Sequence, residues 1–304
     1  MNQSNLNCDS TQLIPRHCFE HLYVEVTPNP LGRLGHQFHN ILSGILLAHA
    51  FGGQCLKPIF TGNSSCWNDV IGFTGSHICN DLSDTNYSTL SGIEGTDVTF
   101  ASLKLYFDIL SNSSSGPLLI KLQPDQFAGC LMKLLPFSLP ELRQASSFEL
   151  KVVSRPEIAI HIRRGDVTPV YASSLYTNLD SYLFAFNAVS HFLPLHWPVR
   201  IYSEGRIEDF ESLAFCITRD SGRQVFYCLE ENMFSVDSVS DFTQMIGSGA
   251  LICSYSTYAY CAFYFSASLG SRFFIADSRS NTSEGLLQLE VFRSIGVNII
   301  QLNN

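Results

Sequence analysis

Charge is scarce in this chain. Only 15% of its 304 residues are Asp, Glu, Lys or Arg, against 45% hydrophobic residues. That balance excludes a disordered polar segment and describes a well-buried globular protein. Basic residues are the scarcer sign: 18 Lys and Arg face 27 Asp and Glu, a net charge of −9, which argues against a general nucleic-acid binder. An anionic ligand must therefore meet a local cluster of arginines. The ten cysteines contain no C-x-x-C pair and no repeating spacing, so no zinc module is implied. Cys55, Cys216, Cys228, Cys253 and Cys261 lie inside apolar segments, where a small buried thiol is the plain reading.

Two windows, 34–56 and 242–271, lack all four charged residue types. A spanning helix needs about 20 mostly apolar residues. The second window carries Ser248, Ser254, Ser256, Thr257, Ser266 and Ser268 and is interrupted by Gly247 and Gly249. Both windows read as buried core elements, and no membrane span is expected. The opening MNQSNLNCDSTQLIPRH has no basic stretch followed by an apolar one, so no signal peptide is visible. Sequons at Asn2, Asn63, Asn86, Asn112 and Asn281 leave the compartment open.

The length suits two domains of about 150 residues. In the second half EIAIHI (157–162), VRIYS (199–203), QVFYC (224–228), ALICS (250–254), RFFIA (272–276) and VNIIQ (297–301) read as short apolar strands. Segments of helical length separate them, at 178–192, 207–216, 238–247, 256–268 and 284–295. Continuous apolar strands alternating with helices predict a parallel sheet covered on both faces, a Rossmann-like unit. The first half is less regular. LYVEV (22–26) and GQCLKPIF (53–60) read as strands around a helix, 61–97 as loop-dominated, and SNSSSGP (111–117) as a turn. Helical segments at 125–135 and 138–149 lead to a junction at Ser154–Pro156.

Three stretches carry chemistry. In IAIHIRRGDV (158–167) a buried strand ends in His161, Arg163, Arg164 and Asp166. Ligands of open parallel sheets bind outside the carboxyl ends of strands, and paired guanidiniums suit a phosphate or carboxylate. Adjacent strand residues face opposite sides, so one arginine reaches the ligand while the other braces it, and Asp166 could orient either. A plain structural Arg–Asp pair competes with this reading; the Arg-Gly-Asp tripeptide following a buried strand carries little weight. In SDFTQMIGSGALICSYSTYAYCAFYFSASLG (240–270) a helix bearing Asp241 leads into a strand, a Ser254–Thr257 turn and another helix. The turn residues cap that helix, and the same geometry aims backbone N–H groups at an anion. In LGRLGHQFHNILSGILLAHAFG (31–52) Gly32 and Gly35 flank Arg33, and Phe38, Ile41, Leu42, Ile45 and Leu46 form one apolar helical face. The spacing of His36 and His39 lacks the i, i+4 arrangement of H-E-x-x-H, so no metal site is expected.

Together the three stretches resemble the fucosyltransferase superfamily that uses GDP-fucose, most closely its alpha-1,2 group and also the alpha-1,6 and protein O-fucosyltransferases. Gly32-Arg33-Leu34-Gly35-His36-Gln37 is similar to its Gly-Arg-[Leu/Phe]-Gly-Asn-Gln. His161-Ile162-Arg163-Arg164-Gly165-Asp166 matches His-x-Arg-Arg-x-Asp. Asp241-Phe242, Met245 and Ser254-Tyr255-Ser256-Thr257-Tyr258 resemble Asp-Phe…Met…Ser-Asn-Ser-Thr-Phe.

The resemblance implies an α/β protein of two Rossmann-like domains facing across a cleft, the GT-B arrangement. Residues 1–154 would form the acceptor side, and 155–304 a GDP-sugar-binding parallel sheet covered by helices. It implies inverting transfer of fucose from GDP-fucose to a hydroxyl of a glycan or glycoprotein acceptor, with no metal and no cofactor, in the secretory pathway or Golgi lumen. By the same resemblance Arg163 neutralises the β-phosphate, with Arg164 and His161 supporting the nucleotide. Ser254, Ser256 and Thr257 serve the phosphates, Asp241 the guanine side, and Arg33, with Gly32 and Gly35, the diphosphate or reacting sugar. His36 and Glu204 are candidates for a general base; a dissociative transition state would need little base assistance. His36, Tyr255 and Glu204 stand where the family has Asn, Asn and Asp, which leaves open a catalytically inactive relative that binds nucleotide sugar or glycan.

Overall fold

The computed structural model describes residues 22–28, 30, 34–69, 71–73, 78–80, 82, 88–91, 117–122, 146–148, 153–165, 167–171, 173, 176–229, 236–254, 258, 262 and 272–275. These residues form an α/β protein with two five-stranded sheets and one two-stranded ribbon. Every pairing within both five-stranded sheets is parallel.

The first sheet is built from β1 (Leu22–Val26), β2 (Gln54–Leu56), β4 (Ile78–Cys79), β5 (Ser88–Ser91) and β6 (Leu118–Leu122), in the order β4-β2-β1-β6-β5. Helix α1 (Leu34–Ala50) crosses between β1 and β2. Phe38, Ile41, Leu42 and Ile45 are buried as their spacing predicts, but so are Gln37, Asn40 and Ser43. The helix is enclosed on nearly all described sides, which accounts for its lack of charge. A Cβ on Gly44 would collide with Val26 of β1, so glycine lets the helix lie close on the strand. β2 ends early because Pro58 has no N–H for a ladder; the last donor before it, the Lys57 N–H, bonds to the Cys79 carbonyl at 2.7 Å.

The second sheet contains β8 (Arg155–Ile162), β9 (Val199–Ser203), β10 (Val225–Leu229), β11 (Ser248–Cys253) and β12 (Arg272–Ile275), in the order β10-β9-β8-β11-β12. Between them lie α2 (Leu179–Ser190), α3 (Glu211–Ser221) and α4 (Val236–Gly247). Side chains alternate across strands, so Ile158, Ile160 and Ile162 share a face with Val199, Ile201, Ala250 and Ile252. That face forms one core with Tyr182, Phe186 and Val189 of α2 and Leu213 and Ile217 of α3. The opposite face carries Glu157, Ala159, His161, Arg200, Tyr202, Leu251 and Cys253. Helix α4 covers part of it, burying Phe242, Met245 and Ile246. Helix α2 starts at Asn178, whose side chain accepts from the Ser181 N–H, and α3 stops at Gly222, with φ of 70°.

The structure corrects several expectations. The helix expected over 138–149 contains instead the strand β7 (Ser146–Phe148), paired antiparallel with β3 (Ile71–Phe73). Ser146 and Ser147 are weak helix formers, and β3 offers them a ladder. The strand expected over 53–60 is confined to Gln54–Leu56. Residues 61–97 are more than loop: a 3-10 helix at Gly62–Asp69 and the strands β3, β4 and β5 fall there. The segment 207–216 divides into a 3-10 turn at Ile207–Asp209 and α3. The strand at 297–301 and the helices at 125–135 and 284–295 lie outside the described residues, as does most of 256–268. Among the described residues no helix is long and apolar enough to cross a membrane. Cys55 and Cys253 are buried, while Cys79, Cys216 and Cys228 are half-buried.

Candidate functional site

In the second sheet the strand order reverses beside β8: β9 and β10 lie to one side, β11 and β12 to the other. The crevice outside the carboxyl ends at such a switch is where open α/β sheets bind ligands. His161 sits one residue from the end of β8, in register with Tyr202 of β9 and Cys253 of β11. Ser254 follows β11 directly. His161 and Ser254 are 5% and 1% exposed, yet among the described residues His161 Nδ1 and Ser254 Oγ have no hydrogen-bond partner. Each such buried polar atom costs about 1–3 kcal/mol. They lie at neighbouring strand ends: His161 pairs with Cys253, the residue before Ser254. Burial, reinforced by the Arg163 guanidinium, pushes His161 down from 6.5 to about 4, so its imidazole is neutral at neutral pH.

The two arginines divide their roles. Arg164 donates to the carbonyls of Arg163 at 2.8 Å and Thr177 at 3.0 Å, and its guanidinium carbon lies 4.3 Å from the Tyr176 ring centroid. It braces the 163–178 loop. Arg163 is half-buried, and its charge is felt at His161. Arg164 thus takes the bracing position expected of one of the two arginines.

A cavity of about 360 Å³ opens between the carboxyl ends of β8 and β9, lined by Arg164, Gly165, Thr168, Tyr176, Glu204 and Arg206 among others. At the same strand ends the Ser203 hydroxyl donates to the Ile162 carbonyl at 2.7 Å. Gly165 has φ of 75°, a region closed to most side chains. Glu204 is half-buried against it.

Asp241, half-buried on α4, raises the pKa of Tyr202 and Cys228, in both cases behind the larger effect of burial. It therefore faces β9 and β10 on the same side of the sheet as His161. There Glu157, 4% exposed, accepts from Arg200 Nε at 3.1 Å and from the Tyr202 hydroxyl at 3.4 Å. In the first half, Gly35 is buried and His36 half-buried on the first turn of α1. Gln37 closes a two-way clamp with the Thr61 backbone, 2.9 Å in each direction.

The structure thus gathers His161, Arg163, Arg164, Ser254 and Glu204 around adjacent strand ends, with Asp241 over the neighbouring strands. Gly32, Arg33, Asp166, Ser256 and Thr257 lie outside the described residues. Tyr176, the ring under Arg164, had no signal in the sequence. Gly165 had one: a glycine directly after a strand end in a charged motif.

No family model matches the chain, and no curated protein matches it. Among solved structures it is similar to the crystal structure of POFUT1 in complex with GDP-fucose. The two are 10% identical; the match covers 81% of this chain and 93% of that one, with a TM-score of 0.40. A likeness of that degree does not carry an activity from one chain to the other.

Proposed function

We propose that this protein transfers fucose from GDP-fucose to a hydroxyl of a glycan acceptor, in an alpha-1,2 linkage. The observation behind this reading is two buried polar atoms with no hydrogen-bond partner among the described residues, His161 Nδ1 and Ser254 Oγ, at the ends of neighbouring strands at the switch point, inside two of the three motif stretches. A neutral imidazole and a hydroxyl each donate or accept, which suits a nucleotide's polar groups. Arg163 then stands where the diphosphate charge would fall.

In the reaction the bond between C1 of fucose and the β-phosphate oxygen breaks, and its electron pair leaves with the diphosphate. The acceptor oxygen bonds to C1 from the opposite face, so the configuration inverts. The hydroxyl proton goes to a base; Glu204 and His36 are the proposed candidates. Preformed positive charge aimed at the developing phosphate charge is an effective stabiliser in a site shielded from water, and this role falls to Arg163, with Arg33 contributing from the first half. Asp241 serves the guanine side, and Ser256 and Thr257 the phosphate oxygens. No metal is required in this scheme, because the guanidinium groups supply the charge.

Incubation with GDP-fucose and a panel of glycan acceptors tests the reading. Release of GDP by the wild type, reduced about 10²–10³-fold in Arg163→Ala, is the expected result. The departures at His36 and Tyr255 favour one alternative, a relative that binds the nucleotide sugar without turning it over. GDP binding with no GDP release on any acceptor would select it.

A further inference from the structure

Trp67 is the largest fully enclosed side chain among the described residues. It belongs to the 3-10 helix Gly62–Asp69, which follows β2 of the first sheet, yet its ring meets Phe242 on α4 of the second. The centroids are 5.5 Å apart and the planes 79° to each other. Phe242 in turn lies 5.4 Å from Tyr258, and Tyr258 lies 5.4 Å from the His161 ring. The four rings are 0%, 0%, 7% and 5% exposed. They form one buried aromatic column from the first half of the chain to the imidazole at the switch point.

The far end of the column is anchored too. Asn68, next to Trp67, bonds the Phe60 backbone in both directions, at 2.7 and 2.8 Å. One residue on, Thr61 is held in both directions by Gln37. Gln37 closes the Gly-Arg-Leu-Gly-His-Gln stretch. Two motifs more than a hundred residues apart are thereby joined through hydrogen-bonded backbone and packed rings. Among the described residues nothing bonds His161 Nδ1 to orient it, so the direction in which Nδ1 points depends on what packs against the ring, and Tyr258 does.

We propose that Trp67 is a positioning residue for nucleoside diphosphate binding: through Phe242 and Tyr258 it sets the plane of the His161 ring. This rests on the reading that GDP occupies the switch point. Aromatic pairs prefer edge-to-face or offset geometry and resist rotation away from it. A ring held this way keeps its orientation before the ligand arrives. Binding of a ligand to His161 moves the column, so Trp67 also reports it.

The test uses the full chain, GDP as probe, and temperatures at which each variant retains the wild-type circular dichroism. Trp67→Leu is expected to weaken GDP binding by calorimetry about tenfold and to raise KM for GDP-fucose in parallel. It should also shift the His161 ring resonances in the free protein. Trp67→Phe keeps an aromatic edge toward Phe242 and drops an indole N–H that has no partner; it should restore affinity to within about twofold of wild type. A variant outside the column guards against loss of folding. The protein has two tryptophans, and Trp197→Phe leaves Trp67 as sole emitter, whose fluorescence should titrate with GDP at the calorimetric midpoint. If GDP binds the wild type but Trp67 emission stays flat, or if Trp67→Leu folds and binds GDP like wild type, Trp67 is packing alone and the inference falls while the GDP reading stands. If the wild type does not bind GDP, both fall.

Discussion

The carboxylate of Glu204 occupies the space that any side chain at position 165 would need: a Cβ built on Gly165 would stand 2.5 Å from Glu204 Oε2. The backbone at Gly165, with φ of 75°, and the placement of Glu204 are one arrangement. Together they shape the wall of the cavity between β8 and β9. Gly165→Ala pays a left-handed penalty of roughly 1–2 kcal/mol before any contact is considered. The added methyl then displaces Glu204. We expect a lower melting temperature together with loss of transfer activity, both readable on one purified variant; unchanged activity would remove Glu204 from the site.

Arg164 and Arg163 should separate cleanly by experiment. Arg164→Ala removes two hydrogen bonds to carbonyls and a guanidinium stacked on Tyr176, a loss of about 2–3 kcal/mol of stability. Arg164→Lys recovers little, because an ammonium cannot reproduce the planar fork. Urea unfolding of both variants checks this, and a loss well under about 1 kcal/mol for Arg164→Ala would contradict the bracing role.

Stability should rise with pH across the acid range through His161. Its folded pKa of about 4 lies below the ordinary 6.5, so between these values the unfolded chain binds more protons and rising pH favours the fold. The contribution is complete above pH 6.5 and is lost as pH falls toward 4, a change on the order of 3 kcal/mol. His161→Gln should flatten this part of the stability–pH curve; an unaltered slope would place the proton elsewhere.

Arg223 is 2% exposed and donates to the carbonyls of Ser190, Leu193, Pro194 and Trp197, tying the α2–β9 connection to the start of β10. Lysine at this position cannot reach four carbonyls from one nitrogen. We expect Arg223→Lys to cost about 3 kcal/mol in urea unfolding while GDP affinity stays unchanged, because the clamp sits at the amino ends of the strands, away from the switch point.

The described strands of the second half were legible to within about two residues because they are continuous apolar runs. Ile158, Ile160 and Ile162 are buried among helices on one face, and the other face is buried enough to keep Ala159 and His161 from breaking the run. The first half hid five strands, β3 to β7. β3 and β4 are only three and two residues long, β6, LLIKL, is short and follows a serine-rich stretch, and β5 and β7 are serine-containing segments that pair with β6 and β3. Period and composition report a segment's own burial; they are silent when a neighbouring strand's hydrogen bonds make the decision.

The site shows the same division. Local sequence determined that charged donors follow a buried strand, that glycine stands at 165, and that one of two adjacent arginines must point away from the other. Which arginine braces was decided by Tyr176 and Thr177, more than ten residues on. The tertiary structure alone decided that β8 and β11 are neighbours, setting His161 opposite Cys253, and that Trp67 reaches His161 through Phe242 and Tyr258. The physical reason is that alternation and turn chemistry act over a few residues, whereas strand order and ring packing join residues that are distant along the chain.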